Sequence, residues 1–478
     1  MSRKRSPAQD EAIVEKTGED SPAPNRRKFL LSAAAIGAGT AAATTEAVAN
    51  ATRGSWVEDD TPLKRRRGTD GRYSDYFDKR LDRLTDMGKK SQGAKWWEFD
   101  TYITPTESFF IRNEAPHVPR ARCDSRVHPD HWKLKIEGNA VSRELTLTYN
   151  DLLKLPSRTI VATLECAGNA RTLFWEQDTY KTGKNTAKKQ VGGNSWGLGG
   201  IGQAEWTYVP LSVIMDMVGV KKNAKQALFW SGIDKDPKSK GPSYTGRGHP
   251  MDDIFARPDD IGLAFKMNGS DLGADHGAPV RMIVPGWCGA ASIKWLTKLK
   301  FADHNFWAVL NSRKHVFKGP MYAPPTPEPG DEFLYVRPDE IHGPAAAWLK
   351  PKSLLTLPIV IEQDYKRPRD YPLKRGELPT VAAGLQTMKG FAWGPEYGIH
   401  KVEYRIDGGA WREARIVPPN LGKYTWVRFE FPWEAVRGQH VIETRATDNG
   451  GQVQPQTVPY NTGGFDFWAV PRFDVKVV

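Results

Sequence analysis

Cys166 stands inside a turn of small residues, Glu165-Cys166-Ala167-Gly168-Asn169-Ala170-Arg171, directly after the apolar, strand-like run Thr159–Leu164. A strand that ends in such a turn presents its last side chain to a cleft. Gly168 and Asn169 are the types that most readily take left-handed backbone angles, so the bend is expected at them. Arg171, five residues on, brings positive charge near the thiol. That favours the thiolate, the form that attacks electrophiles and binds soft metals. A small buried core thiol beside a turn is the alternative that the residue types leave open. A second concentration of chemistry lies at His276, Arg281 and Lys294, three donors set among Gly and Pro turns. Such a set can hold a phosphate-bearing ligand, or serve the structure alone. Trp196 sits in a Gly-rich stretch, where an indole can line a small pocket or simply pack the loop.

These residues need elements to carry them. Trp132–Gly138 alternates apolar and polar, as a half-buried strand does. Leu145–Thr148 reads as a strand that enters a short helix at Tyr149–Leu153, and Leu211–Val218 as an amphipathic helix. Phe109–Asn113 and Leu228–Asp234 are strand-like and end in polar residues. Residues 178–205 carry many Gly and Lys and predict a long functional loop. A short helix is predicted over Ser74–Met87. Residues 320–350 are Pro-rich and predict a linker crossing the surface; short strands follow, with Asp407-Gly408-Gly409 as a hairpin turn. That spacing indicates an immunoglobulin-type β-sandwich.

The chain has 478 residues, room for two or three domains. Its net charge of +12 is partly concentrated in Lys64–Arg67 and Lys181–Lys189. No nucleic-acid motif accompanies these basic stretches, so a solvated surface that docks an acidic redox partner is the better reading. Three cysteines, Cys123, Cys166 and Cys288, exclude a disulfide scaffold and a Cys-x-x-Cys-His haem attachment. A single Cys123–Cys288 bond is compatible with an oxidising compartment. Arg26-Arg27-Lys28-Phe29-Leu30, a mild apolar run and Ala47-Val48-Ala49 form a leader with a small-residue cleavage site. The paired arginines fit the twin-arginine type, which carries folded proteins; a disordered basic tail is the alternative. No other segment is long and apolar enough to span a membrane.

Several motifs occur together in a fixed order, and with them the chain resembles the sulfite oxidase family of molybdopterin enzymes. They are Phe109-Phe110-Ile111-Arg112-Asn113, the Cys166 turn, the Trp196 loop, Gly232-Ile233-Asp234, Asp275–Arg281, Val284–Leu296 and a C-terminal stretch from Phe391 to Trp411. The resemblance covers roughly residues 95–478. It implies an α+β chain: a mixed α/β molybdopterin-binding domain followed by an immunoglobulin-like β-sandwich that mediates dimerisation. The expected division is a signal peptide at 1–49, an extension at 50–95, a catalytic domain at 96–325, a linker at 326–352 and the sandwich at 353–478.

By the same resemblance Cys166 is the protein ligand of a molybdenum held by molybdopterin. Phe110, Ile111, Arg112, Asn113, Glu114, Asp234, His276, Arg281, Ser292, Ile293 and Lys294 bind that cofactor. Arg112, Arg171 and Trp196 line the pocket of an inorganic sulfur anion. The chain departs from the family at two places. The active-site tyrosine is absent from Asn311–Lys318, and the C-terminal pocket arginine is absent from Tyr460–Gly464. The expected activity is oxidation of sulfite outside the cytoplasm. No cytochrome sequence is attached, so electrons pass to a cytochrome c or another separate acceptor. Alternatives are a sulfane-sulfur dehydrogenase with a cytochrome partner, a reductase of an oxidised sulfur or nitrogen substrate, and a non-catalytic binding protein.

Overall fold

The computed structural model describes residues 84–87, 91–113, 128–176, 193–194, 196–231, 245–359, 371–374 and 376–478. All of these fall in one compact unit, Leu63–Val478. The leader, Cys123, Glu114, Asp234 and both basic clusters lie outside the described residues.

The fold is built mainly of sheets. One antiparallel sheet runs in the order Ser270–Asp271, Gly262–Met267, Ile201–Pro210, Arg158–Glu165, with Arg281–Ile283 also paired to Gly262–Met267. A second runs Leu145–Thr148, Lys133–Glu137, Leu296–Ala302, Gln226–Ser231, Gly246–Pro250. Its Lys133–Glu137 and Leu296–Ala302 strands are parallel. The alternation read at Trp132–Gly138 is borne out, because Leu134 and Ile136 are buried and the lysines beside them are not. Leu134, Ile136, Phe229, Leu263, Met282, Leu299 and Phe301 share one core with the helix Leu211–Val218.

The α-helices are few and short among the described residues: Tyr149–Leu153, Leu211–Val218, Met251–Ala256 and Val309–Ser312. The first starts where expected, because Thr148 caps it. Its hydroxyl accepts from Asp151 N, and its own N–H donates to the Asp151 carboxylate. Leu211–Val218 stops at Gly219, which takes the left-handed conformation at φ 63°.

Three local expectations are corrected. Leu84–Asp86, the end of the predicted helix at 74–87, is a strand paired with Ser91–Ala94, so tertiary pairing overrides the local pattern. The predicted loop at 178–205 gives way to a strand at Ile201, which pairs with Glu165 and continues to Arg158↔Tyr208. The Pro-rich stretch does not cross the surface freely. Glu332–Leu334 pairs with Phe306–Ala308, Val316 bridges Ala345, Trp287 bridges Trp348, and Val336, Ile341, Ala346 and Leu349 are buried.

Two further sheets follow from Lys352. One runs Lys352–Leu355, Gly384–Trp393, Val427–Ala435, Arg415–Val417. The other runs Thr380–Val381, Arg472–Val477, Gly438–Asp448, Ile399–Ile406, Arg412–Glu413. Their inner faces meet: Tyr404 of one stacks on Phe431 of the other at 3.8 Å, and Phe391, Phe429, Val402, Ile442 and Phe473 share the same core. The hairpin turn forms as read, with Asp407 and Gly408 both at positive φ. Trp96, Phe174 and Ile201 belong to this core as well, so it reaches into the first half of the chain.

Candidate active site

Strand Arg158–Glu165 delivers Cys166 to the floor of a cavity, and four backbone bonds fix the turn that follows. Cys166 N donates to Gly200 O (2.8 Å), Gly289 N to Glu165 O (2.6 Å), Asn169 N to Cys166 O (2.8 Å) and Asp466 N to Ala167 O (2.7 Å). The left-handed residue is Ala170 (φ 62°), not Gly168 or Asn169. Gly168 is needed for space: a Cβ there would collide with the Arg171 guanidinium, which folds back over the turn. Asn169 ties the turn at both ends, accepting from Gly200 N (2.8 Å) and donating to Glu165 Oε1 (2.9 Å).

The cavity and its open mouth together hold about 740 Å³ not filled by protein atoms. Of the residues expected to form the site, Cys166, Phe110, Arg112, His276, Arg281, Ser292, Ile293 and Lys294 line it together. Ile111 and Asn113 are buried behind it, Asn113 accepting from Lys294 Nζ and donating to Asp275 Oδ1 (3.2 Å). Gly277, at φ 101°, lets the segment fold so tightly that a Cβ there would press on the side chains of Arg281 and Lys294.

Arg171 and Trp196 do not line this cavity. Arg171 is 4 % exposed; its Nε donates to Gly463 O (3.0 Å) and its Nη1 to Asn194 O (2.8 Å). Its guanidinium lies 5.2 Å from the Phe465 ring centre. The loop where the family arginine is missing is therefore held by Arg171 itself. Trp196 is buried and meets Phe110 edge-on at 6.1 Å, so it backs a lining residue. Spacing in sequence could not show this, because five residues across a turn leave the side-chain direction open.

The electrostatics favour an anion. Among the described residues, Arg112, Arg281 and Lys294 are the cations on the lining and Asp275 the carboxylate. Burial pushes the Arg281 guanidinium down to about 9. It donates to His276 O (2.9 Å), Ser292 O (2.9 Å) and Met282 O (3.3 Å), and no carboxylate pairs with it among the described residues. Its guanidinium also lies 5.0 Å from the Trp206 ring centre, and a buried cation with carbonyl and aromatic partners is stabilised when an anionic group enters. Among the described residues no three His, Cys, Asp or Glu converge to cage a metal. A metal at Cys166 would therefore bring most of its ligands with it. One soft sulfur beside a basic cradle suits a metal carried by an anionic organic ligand.

Sequence reading missed Asp275, Thr245 and His315 on the lining. Asp275 had a signal, since it directly precedes His276. His315 lies within Asn311–Lys318, where the family tyrosine is absent and no other signal marks a site residue. Cys288 is a buried free thiol 3.4 Å from Ala346 O. Burial raises its pKa, opposed by the Arg247 guanidinium.

Comparison with known proteins agrees with this chemistry. The oxidoreductase molybdopterin binding domain matches residues 118–309. Human mitochondrial sulfite oxidase is 30% identical over 367 residues, which span 75% of this chain and 58% of that protein. The chain thus spans little more than half the length of that relative. The NADPH nitrate reductase of Phytophthora infestans is 30% identical over 385 residues, 76% of this chain and 38% of that protein. Among solved structures, the sulfane dehydrogenase SoxCD from Paracoccus pantotrophus superposes with a TM-score of 0.61. That match covers 85% of this chain and 87% of the other at 24% identity, so it speaks for the fold alone.

Proposed function

The chain belongs to the sulfite oxidase family of molybdopterin oxidoreductases, and from that premise we propose that it oxidises sulfite to sulfate and hands the electrons to a separate acceptor. The observation that carries the reading is Cys166 on the lining of a cavity whose described residues include the cations Arg112, Arg281 and Lys294 and one carboxylate, Asp275. When bound, the molybdenum cofactor supplies the two-electron, oxygen-transferring chemistry. Cys166 is its protein ligand in this reading. His276, Arg281, Ser292 and Lys294 hold its phosphate-bearing part, with Phe110, Ile111, Ile293 and Asn113 shaping the cradle. Glu114 and Asp234 belong to it by motif alone. Arg112 faces the substrate anion, whose charge a guanidinium fork matches. Overall, sulfite and water give sulfate, two protons and two electrons; the acceptor, a cytochrome c or similar carrier, takes the electrons.

Supporting export are Arg26-Arg27 before Phe29-Leu30 and the Ala47-Val48-Ala49 site. The two C-terminal sheets, packed face to face, suit an immunoglobulin-like module through which two chains dimerise. No helix among the described residues is long and apolar enough to cross a membrane.

The test is to purify the exported protein from a host that makes molybdopterin, measure molybdenum, and assay sulfite, thiosulfate-bound sulfane sulfur and nitrate with cytochrome c or dyes. Molybdenum near one per chain with sulfite-dependent reduction of the acceptor is the expected result. Turnover of sulfane sulfur or nitrate instead would move the assignment to those chemistries, which the fold likeness to SoxCD and the nitrate reductase relative keep in view. Absence of molybdenum would favour a binding protein.

A further inference from the structure

We propose that His315 is a substrate-contacting residue that, with Arg112, holds a small oxyanion in the cavity and sets which oxyanion is accepted. The inference rests on the oxyanion reading above. It starts from placement: His315 is 6 % exposed and lines the same cavity as Cys166 and Arg112. It comes from a different part of the chain than the basic cradle. Lys294, Arg281 and His276 belong to the segment 274–295, whereas His315 follows the helix Val309–Ser312.

The position is held by contacts that local sequence does not require. His315 has φ 54°, a left-handed conformation that is uncommon for a residue with a Cβ, though His takes it more readily than most. Ala346 N donates to His315 O (2.8 Å), and Val316 bridges Ala345, so the stretch preceding Lys352 clamps the backbone. The imidazole lies 5.3 Å from the Phe465 ring at 36°. Phe465 is in turn fixed: its N–H donates to Asn461 Oδ1 (2.9 Å), and its carbonyl accepts from Asn461 Nδ2 (2.8 Å). The Arg171 guanidinium covers the same ring and anchors the loop through Gly463 O. Arg171 and His315 thus both pack against the Phe465 ring, and of these three residues His315 is the one on the lining.

The chemistry follows from what the His315 imidazole can do. An imidazole N–H donates one directed hydrogen bond from a rigid, aromatic-backed ring. Together with the Arg112 guanidinium it offers a fixed pair of donors to a compact anion with oxygens on several sides. A planar anion such as nitrate and a pyramidal one such as sulfite fill such a pair differently. The imidazole packed against Phe465 is therefore where selection occurs, with Arg112 supplying charge.

The test uses the holoenzyme and two variants, His315→Leu and His315→Gln. Molybdenum content, sulfite KM and kcat, and dissociation constants for sulfate and nitrate by calorimetry are measured for all three. The Leu variant is expected to keep its molybdenum and to raise sulfite KM and sulfate Kd by about 10- to 100-fold, the cost of one hydrogen bond to a charged group. Its kcat should move less, its sulfate-to-nitrate preference should shrink, and Gln should recover most of the loss. Unchanged KM and Kd in the Leu variant would overturn the proposal. So would loss of molybdenum in both variants, which would place His315 in the cofactor cradle. The anion dissociation constants keep the two readings apart. If the wild type binds sulfate or nitrate but turns over no sulfite, the functional assignment fails, while the effect on Kd still decides His315. If it binds neither anion, both fail.

Discussion

Lys352 and Glu165 form an ion pair, Nζ to Oε1 2.7 Å, at 7 % and 0 % side-chain exposure. Glu165 is the residue before Cys166, and Lys352 opens the first strand of the C-terminal sheets. Trp393 from the same sheet donates its indole N–H to the other oxygen of Glu165 (2.9 Å), and Asn169 donates to Oε1. Every bond to this carboxylate thus converges on the backbone turn that carries the thiol. The C-terminal sheets help to hold the site, whatever else they do.

Lys352→Met should therefore be costly. It leaves a carboxylate buried with two neutral donors, and removing one partner of a buried pair costs about 3–5 kcal/mol. Urea unfolding measures this directly. A loss below about 1 kcal/mol, the range of exposed pairs, would show that the pair is not what ties the turn.

Cys166→Ser should abolish turnover while the chain stays folded. A hydroxyl is smaller and is not a soft thiolate, so it cannot replace the metal ligand. Full activity in a folded variant would sink the assignment of Cys166. The circular dichroism melt should stay close to that of the parent.

The two arginines should behave differently. Arg112 lines the cavity, so Arg112→Met should lower kcat/KM for sulfite by roughly 30- to 1000-fold, about 2–4 kcal/mol for a lost charge-assisted contact. Arg171 donates to the carbonyls of Gly463 and Asn194. Arg171→Met should chiefly lower the melting temperature and loosen the loop that carries Phe465. Steady-state kinetics beside thermal melts separate the two effects; a larger rise in KM for Arg171→Met would return it to the anion pocket.

Acid should destabilise the fold through His249. Burial holds its imidazole down at about 4, from an ordinary 6.5, although its Nε2 lies 2.6 Å from Asp253 Oδ2. Burial raises the Asp253 carboxyl, but hydrogen bonds from His249 and Arg257 outweigh that and hold it at about 2. Because the folded-state pKa of His249 is the lower one, the unfolded chain takes up its proton first. Stability from this group is complete above pH 6.5 and is lost as the pH falls from there through about 4. Unfolding curves at stepped pH should show the slope, and His249→Gln should flatten it in that window alone.

Export is checked with Arg26→Lys combined with Arg27→Lys. The charge is kept while the paired-arginine signal is lost. Precursor should accumulate in the cytoplasm on fractionation; normal export would mean the leader has been misread.

Much of the site was legible locally because its pieces are contiguous. Cys166 at a strand end, the donors from His276 to Lys294 and the segment from Phe109 to Asn113 are each local in sequence. Short-range backbone geometry is enough to say that each forms a turn or a strand. Helix Tyr149–Leu153 was visible for the same reason, its cap and its first turn being neighbours.

What folding alone decided is where side chains separated by a hundred residues or more point and meet. Nothing near Lys352 or Trp393 marks them as partners of Glu165, and nothing near Phe465 marks it as the ring that both Arg171 and His315 pack against. The Ser74–Met87 pattern lost its last residues to a strand, since pairing with Ser91–Ala94 satisfied the backbone better than one helical turn. Periodicity records which face of an element is apolar; it carries no information on which distant surface that face will meet. Burial energy is gained only at that meeting, so the partners of Cys166, Arg171 and His315 were settled by packing.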